Sequence, residues 1–244
     1  MIKPASKTFV LVHGSWHDGS SWSRVGSLLS AAGHTVHAPT LAGHGASGDR
    51  KVSHSDIVRS LERFIIDAGL SDVILVGHSF AGTVLQPLAE QVPERIRQLI
   101  FANAFVLFDG EALEDMWPED FRKFCAETVQ NDGGVPIPFE LFRDVLFNDG
   151  TSEEAAHVYA TLSPTPRRSQ TDRISLSSFF ELDIPKAYIH FTDDLALPSD
   201  PNLYWHPRHS TRLGNHHLVK IPGSHEALFT NPQGLATAIL EVAT

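Results

Sequence analysis

Val73-Ile74-Leu75-Val76-Gly77-His78-Ser79-Phe80-Ala81-Gly82 is the stretch that decides the fold. Its four opening aliphatic residues run without a polar interruption into a glycine turn. Such a run reads as a strand buried on both faces, as in a parallel sheet. Apolar residues then follow at helical spacing over 81–91. A serine between a buried strand and a helix fits a nucleophile elbow. The reason is steric: the turn throws the hydroxyl out from the sheet, and backbone crowds the positions two before and two after it. Gly77 and Ala81 hold those positions. Ala81 stands where the strict G-x-S-x-G pattern has glycine, with Gly82 one step beyond. The competing reading is a plain Gly-Ser turn.

Working outward, Phe9-Val10-Leu11-Val12 is a first strand ended by His13-Gly14. Trp22, Val25, Leu28 and Leu29 share one helical face, which Gly33 stops. A second strand is expected at 35–38, before Pro39. Gly43-His44-Gly45 and Gly48 make a loop. Ser53 is placed as N-cap of a helix carrying Ile57, Val58, Leu61, Phe64 and Ile65. Another strand follows at 99–102. Strand and helix in alternation mean βαβ units with right-handed crossovers. After Phe105 the pattern breaks. Residues 109–182 are rich in acids, phenylalanine and proline, with helical stretches at 119–130 and 152–162 and no convincing strand. Strands return at 186–191 and 217–221, and a helix at 232–242, capped by Asn231, closes the chain. The expected fold class is α/β: a mostly parallel six-stranded sheet flanked by helices. Its core is 1–108 plus 183–244, and 109–182 forms a small helical cap.

Three further segments carry chemistry. His13-Gly14-Ser15-Trp16 follows the first strand, where an acyl-transfer site needs backbone N–H donors for an oxyanion. The expected donors are the amides of Ser15 and Phe80. Pro222-Gly223-Ser224-His225-Glu226 follows the last strand and offers His225 as the base that a serine nucleophile requires. Thr192-Asp193-Asp194 follows the strand at 186–191. Asp194 is the first choice for the acid that orients the imidazole, Asp193 the second and Asp109 a distant third. Serine, acid, histidine is the chain order that such elbow sites use. Trp16, Phe105, Phe108, Trp117, Phe139, Phe142, Leu195 and Phe229 are the expected lining of a pocket between sheet and cap, some of them belonging to the core instead.

The remaining candidates read as structural. His206, His209, His216 and His217 form no compact ligand motif, and no metal is expected. His78 is the variable residue of the elbow. Cys125 shares a helical face with Phe121 and Phe124. Gly43-x-Gly45 lacks the strand–helix setting of a dinucleotide site. No cofactor is expected.

Composition sets the outer bounds. The chain has 244 residues, of which 42% are hydrophobic, enough for one full core. A formal charge of −10 speaks against nucleic acid as a partner. One cysteine precludes an internal disulfide and fits a reducing compartment. Residues 1–7 lack the apolar region of a signal peptide, and no apolar run is long enough for a membrane span. A cytoplasmic protein acting on a small-molecule substrate is expected, as a monomer or a homodimer.

At these motifs the chain resembles the α/β-hydrolase superfamily over nearly its whole length. It is most similar to the branch of plant methyl-ester esterases and hydroxynitrile lyases. FVLVHGSWHDGSSW (9–22), LVGHSFAG (75–82), YIHFTDDLALP (188–198) and IPGSHEALFTNP (221–232) carry the resemblance. It implies a sheet without the first two strands of larger hydrolases, and it assigns the catalytic acid to the second aspartate, Asp194. APTLAGHG (38–45) and PGSHEALFT (222–230) also resemble bacterial esterases that cleave aryl carbamates. Hydroxynitrile lyases of the branch carry threonine and lysine where this chain has Gly14 and Glu226, which argues against cyanide chemistry. The expected function is hydrolysis of a small apolar or aromatic ester or carbamate through an acyl-enzyme. The alternatives are a C–C lyase of the hydroxynitrile type, a cofactor-free oxygenase, or a ligand-binding member without turnover.

Overall fold

The structure is a computed structural model that describes residues 6–244. Much of the N-terminal signal-peptide reading falls on residues 1–5, outside the described ones. The strands are β1 (Thr8–Val12), β2 (Thr35–His37), β3 (Val73–His78), β4 (Ile96–Ala102), β5 (Gly134–Val135), β6 (Thr165–Pro166), β7 (Lys186–Phe191) and β8 (His217–Ile221). The longer helices are α1 (Ser23–Ala31), α2 (His54–Asp67), α3 (Ala81–Gln91), α4 (Glu119–Glu127), α5 (Ser152–Tyr159) and α6 (Pro232–Val242).

Six strands form one sheet in the order β2-β1-β3-β4-β7-β8, and every neighbouring pair is parallel. Side chains alternate across a strand, so each strand feeds two cores. Val10, Val12, Val73 and Leu75 pack with α2 and α3 on one face. Phe9, Leu11, Ile74 and Val76 pack with α1 and α6 on the other. That two-sided burial is why β1 and β3 read as unbroken apolar runs. β4 begins earlier than its apolar run, because Gln98 is polar yet buried, its amide donating to the Val242 carbonyl at 2.8 Å. Ser53 caps α2: its hydroxyl accepts from the Asp56 amide at 3.1 Å, and the Asp56 carboxylate accepts from the Ser53 amide at 2.8 Å. A cap of this kind contributes about 1 kcal/mol.

The segment between β4 and β7 departs from expectation in its strands and in its helix ends. β5 and β6 pair antiparallel, Gly134 with Pro166 and Val135 with Thr165. Two residues per strand leave no alternation to read, and a proline on one of them argues against a strand in sequence. α4 and α5 also end at Glu127 and Tyr159, short of the expected 130 and 162. A separate small core of Ile137, Phe142, Leu146, Phe147, Ala155 and Val158 holds the middle of this segment, while Leu113, Met116, Trp117, Cys125 and Val135 join the core on the α2 and α3 face of the sheet.

Strand order reverses between β1 and β3, since β2 lies outside β1 and β4 outside β3. In an open parallel sheet the crevice at the carboxyl ends of such strands is where ligands bind. Ser15 and Ser79 follow those two strands.

Candidate active site

Ser79 has φ of +54°, the left-handed region, directly between β3 and α3. Non-glycine residues rarely hold this conformation, and it is strained. The surrounding chain enforces it. A Cβ on Gly77 would lie 3.0 Å from Leu85 and 3.2 Å from the Ala81 methyl. A Cβ on Gly82 would lie 2.1 Å from the Phe105 carbonyl oxygen. The glycine that the turn cannot lose is therefore Gly82, and Ala81 fits because Gly77 faces it without a side chain.

His225 reaches the site from the loop after β8. Its Nε2 lies 2.9 Å from the Ser79 hydroxyl, and its Nδ1 lies 2.5 Å from Asp194 Oδ2. Asp194 is buried and held from several directions. Asn103 Nδ2 donates to Oδ2 at 2.6 Å, the Ala196 amide donates to Oδ1 at 2.6 Å, and the Tyr204 hydroxyl donates to its carbonyl at 2.7 Å. Because Nδ1 faces a carboxylate it carries the hydrogen, which leaves Nε2 free to accept from serine. Burial pulls the His225 pKa down, but the charge and hydrogen bond of Asp194, with Glu226 adding, lift it above the usual histidine value.

Asp193 and Asp109 stand elsewhere. Asp193 is exposed and accepts from the Gly223 amide at 2.8 Å, pinning the loop that carries His225. Asp109 is exposed and accepts from the Leu176 amide at 2.8 Å. His78 is buried, and its Nε2–H donates to the His225 carbonyl at 3.0 Å. Burial holds its pKa well below the ordinary value, so it stays a neutral tie for that loop.

Among the described residues, the amides of Ser15 and Phe80 donate to no protein acceptor. Both belong to the turns that follow β1 and β3. A Cβ on Gly14 would lie 3.1 Å from Ser79 Cβ, so the β1 loop packs directly on the serine.

A cavity of about 180 Å³ opens over Ser79 and His225. Trp16, Phe105 and Trp117 line it as expected from sequence. Pro118, Phe121, Ile137, Leu141, Val145, Leu146, Ala196, Leu197 and Trp205 line it as well. The other expected lining residues are elsewhere, each for a packing reason. Phe108 is exposed beneath the Arg212 guanidinium, 4.3 Å from its ring. Phe139 packs edge-on to Tyr159, and Phe142 is buried between Phe147 and Tyr159. Phe229 lies against His17 and borders a different surface groove. Leu195 is 58% exposed.

Sequence reasoning missed Trp205 and Asn103. Trp205 stacks on the His225 ring, with centroids 5.2 Å and planes 22° apart. It opens a short helical turn, Trp205–His209, broken at His206 and too short to show a periodicity. Asn103 did leave a signal: it is a polar residue immediately past β4, at the same sheet edge as Ser79 and Asp194.

Residues 9–238 match the Alpha/beta hydrolase family. A carbendazim hydrolyzing esterase of Nocardioides sp. (strain SG-4G) is 36% identical over 152 residues, 56% of this chain and 62% of that protein's length. Methylesterase 7 of Arabidopsis thaliana is 28% identical across 100% of this chain and 98% of its own. Among solved structures, an extracellular alpha/beta-hydrolase from a Paenibacillus species superposes with a TM-score of 0.93. It is 35% identical and covers 97% of this chain and 98% of its own. That protein is described as sharing structural and functional homology with tobacco salicylic acid binding protein 2. The chain belongs to the alpha/beta hydrolase family, as an esterase-type member of it.

Proposed function

We propose that this protein is a serine esterase that cleaves small, neutral, apolar or aromatic esters or carbamates through a covalent acyl-enzyme. One observation carries the reading: a single imidazole bonds the Ser79 hydroxyl at one end and the buried Asp194 carboxylate at the other, on the wall of an apolar cavity. His225 Nε2 takes the serine proton as Oγ bonds to the substrate carbonyl carbon. The amides of Ser15 and Phe80 receive the resulting oxyanion. His225 then gives its proton to the leaving group, and water releases the acyl group by the same steps reversed in role. Each oxyanion donor contributes about 3 kcal/mol of barrier reduction.

The cavity supports the substrate class. His225 is the only ionisable residue among those lining it. A charged acyl group would lose its hydration there without a counter-charge. In size it suits one aromatic ring with a short arm, since an apolar cavity of roughly 150 Å³ takes up benzene. The carbendazim-cleaving relative extends the reading from esters to carbamates. The lyase alternative lacks support at the position after the base, where the Glu226 side chain is buried and engages His17 at 3.0 Å.

The test is Ser79→Ala with an aryl ester and aryl carbamate panel, beside labelling of the parent protein by a fluorophosphonate. Turnover should fall at least about 10⁴-fold, and the label should map to Ser79. Near-parental turnover in the variant, or a label on another residue, ends the proposal. Activity of the parent should rise with pH through a pKa above the usual histidine value, because only neutral His225 can accept the serine proton.

A further inference from the structure

Four described non-glycine residues have positive φ: Trp16, Asp72, Ser79 and Asn103. Three of them stand at the candidate active site. The elbow accounts for Ser79, and a short amide side chain tolerates this region at Asn103. Trp16, at φ of +64°, has neither excuse, because a bulky residue is a steric outlier there. Something must hold it.

The inserted segment does so from two sides. The Trp16 indole N–H donates to the Val135 carbonyl at 2.9 Å, and the Ser163 amide donates to the Trp16 carbonyl at 2.9 Å. Val135 lies in β5, and Ser163 precedes β6 by two residues. The preceding peptide is fixed independently. The His13 Nδ1–H donates to the Gly14 carbonyl at 2.9 Å, and His13 Nε2 accepts from the Leu41 amide at 3.1 Å. A trans peptide sets its C=O and N–H in opposite directions. With the Gly14 carbonyl turned to His13, the Ser15 N–H points away from that ring. Gly14 meanwhile packs on Ser79. The direction of the Ser15 N–H thus depends on His13 before it and on Trp16 after it.

We propose that Trp16 is a positioning residue for the oxyanion hole: the inserted segment grips it at Val135 and Ser163, and the grip aims the Ser15 N–H at the oxygen that becomes negative. The inference rests on the acyl-transfer reading above. It makes the inserted segment part of the chemical step as well as part of the substrate cavity. A Trp16 that is only a cavity wall would influence binding and leave the oxyanion unaffected.

The experiment replaces Trp16 with 3-benzothienylalanine, which keeps the bicyclic shape and removes only the N–H donor. Trp16→Phe is the second variant, with thermal unfolding recorded for both. Loss of the Val135 bond should lower kcat about 10-fold, a fraction of the 10²–10³-fold that a lost donor costs. KM should move less than about threefold. Affinity for trifluoroacetophenone, whose hemiketal with the serine places a negative oxygen in the hole, should fall with kcat. An unchanged kcat and an unchanged trifluoroacetophenone affinity in the isostere overturn the proposal, as does a rise in KM alone. If Ser79→Ala abolishes turnover while the isostere is unaffected, the positioning role fails and the serine mechanism stands.

Discussion

The sheet edge and the inserted segment reach the same cavity by opposite means. Ser79, Asp194 and His225 each sit within three residues of a strand's carboxyl end or on the loop just after it, so parallel pairing alone gathers them. The segment at 109–182 contributes no strand to the six-stranded sheet. It lines the cavity through Ile137, Leu141, Val145 and Leu146 from a small core of its own, and through Trp117 and Phe121 from the core on the α2 and α3 face of the sheet. The difference teaches a division of labour. Groups whose position must be exact to within a fraction of an ångström stand at the rigid sheet edge. The apolar walls come from both parts, Phe105, Ala196, Leu197 and Trp205 from the core and most of the rest from the add-on. Trp16 joins the two.

The largest expected effect strikes the sheet side. Asp194→Asn keeps the shape but offers Nδ1 an amide in place of a carboxylate, so the imidazole loses both its tautomer and its partner charge. The fall in kcat should be about 10⁴-fold, equal to about 5.5 kcal/mol of barrier. The pH profile supplies the sharper check. Burial alone lowers the His225 pKa and Asp194 raises it. In the variant burial wins, and the residual activity should titrate below the usual histidine value. A profile unmoved from the parent's would remove Asp194 from the mechanism.

Next comes the elbow itself. Gly82→Ala puts a methyl 2.1 Å from the Phe105 carbonyl oxygen, a backbone atom that cannot swing aside. The expected loss is about 3 kcal/mol of unfolding free energy, read by urea titration. Ala81→Gly should differ from the parent by about 1 kcal/mol or less. Equal stabilities would mean that the close approach of α3 to residue 105 is not what holds the turn.

How much of this was legible in the sequence follows the same division. The strand at 73–76 was readable because burial on both faces removes polar residues. Those at 186–191 and 217–221 were readable from their remaining apolar residues despite Lys186, His190, His217 and Lys220. The elbow serine and the histidine after the last strand were readable because topology ties them to those strands. Gln98 hid the start of β4, since a buried polar residue whose amide is satisfied by the sequence-distant Val242 carbonyl looks exposed in sequence. β5 and β6 were invisible at two residues each. The cavity lining was the least legible part. An aromatic residue packs equally well on a cavity or in a core, and composition is the same in both. Phe142 went to the core, and Phe121 to the cavity.

Leu195 and Leu197 give the finest version of that problem, two leucines with one residue between them just past Asp194. In the loop after β7, Asp194 is fixed by Asn103 and by the Ala196 amide, which pins the backbone between the two leucines. Leu195 is left 58% exposed and Leu197 is 4% exposed on the cavity wall. Leu195→Ala removes no contact with a bound substrate, and kcat/KM should stay within about twofold of the parent. Leu197→Ala removes about three carbon atoms from the wall, at about 0.8 kcal/mol for each methylene it buried against substrate. KM for an aryl ester should rise about tenfold with kcat nearly unchanged, because the lost contact serves ground state and transition state alike. The opposite ranking, with Leu195 the sensitive position, would mean that substrate approaches over the outer face of this loop. The cavity wall to which Leu197 belongs would then not be what selects it.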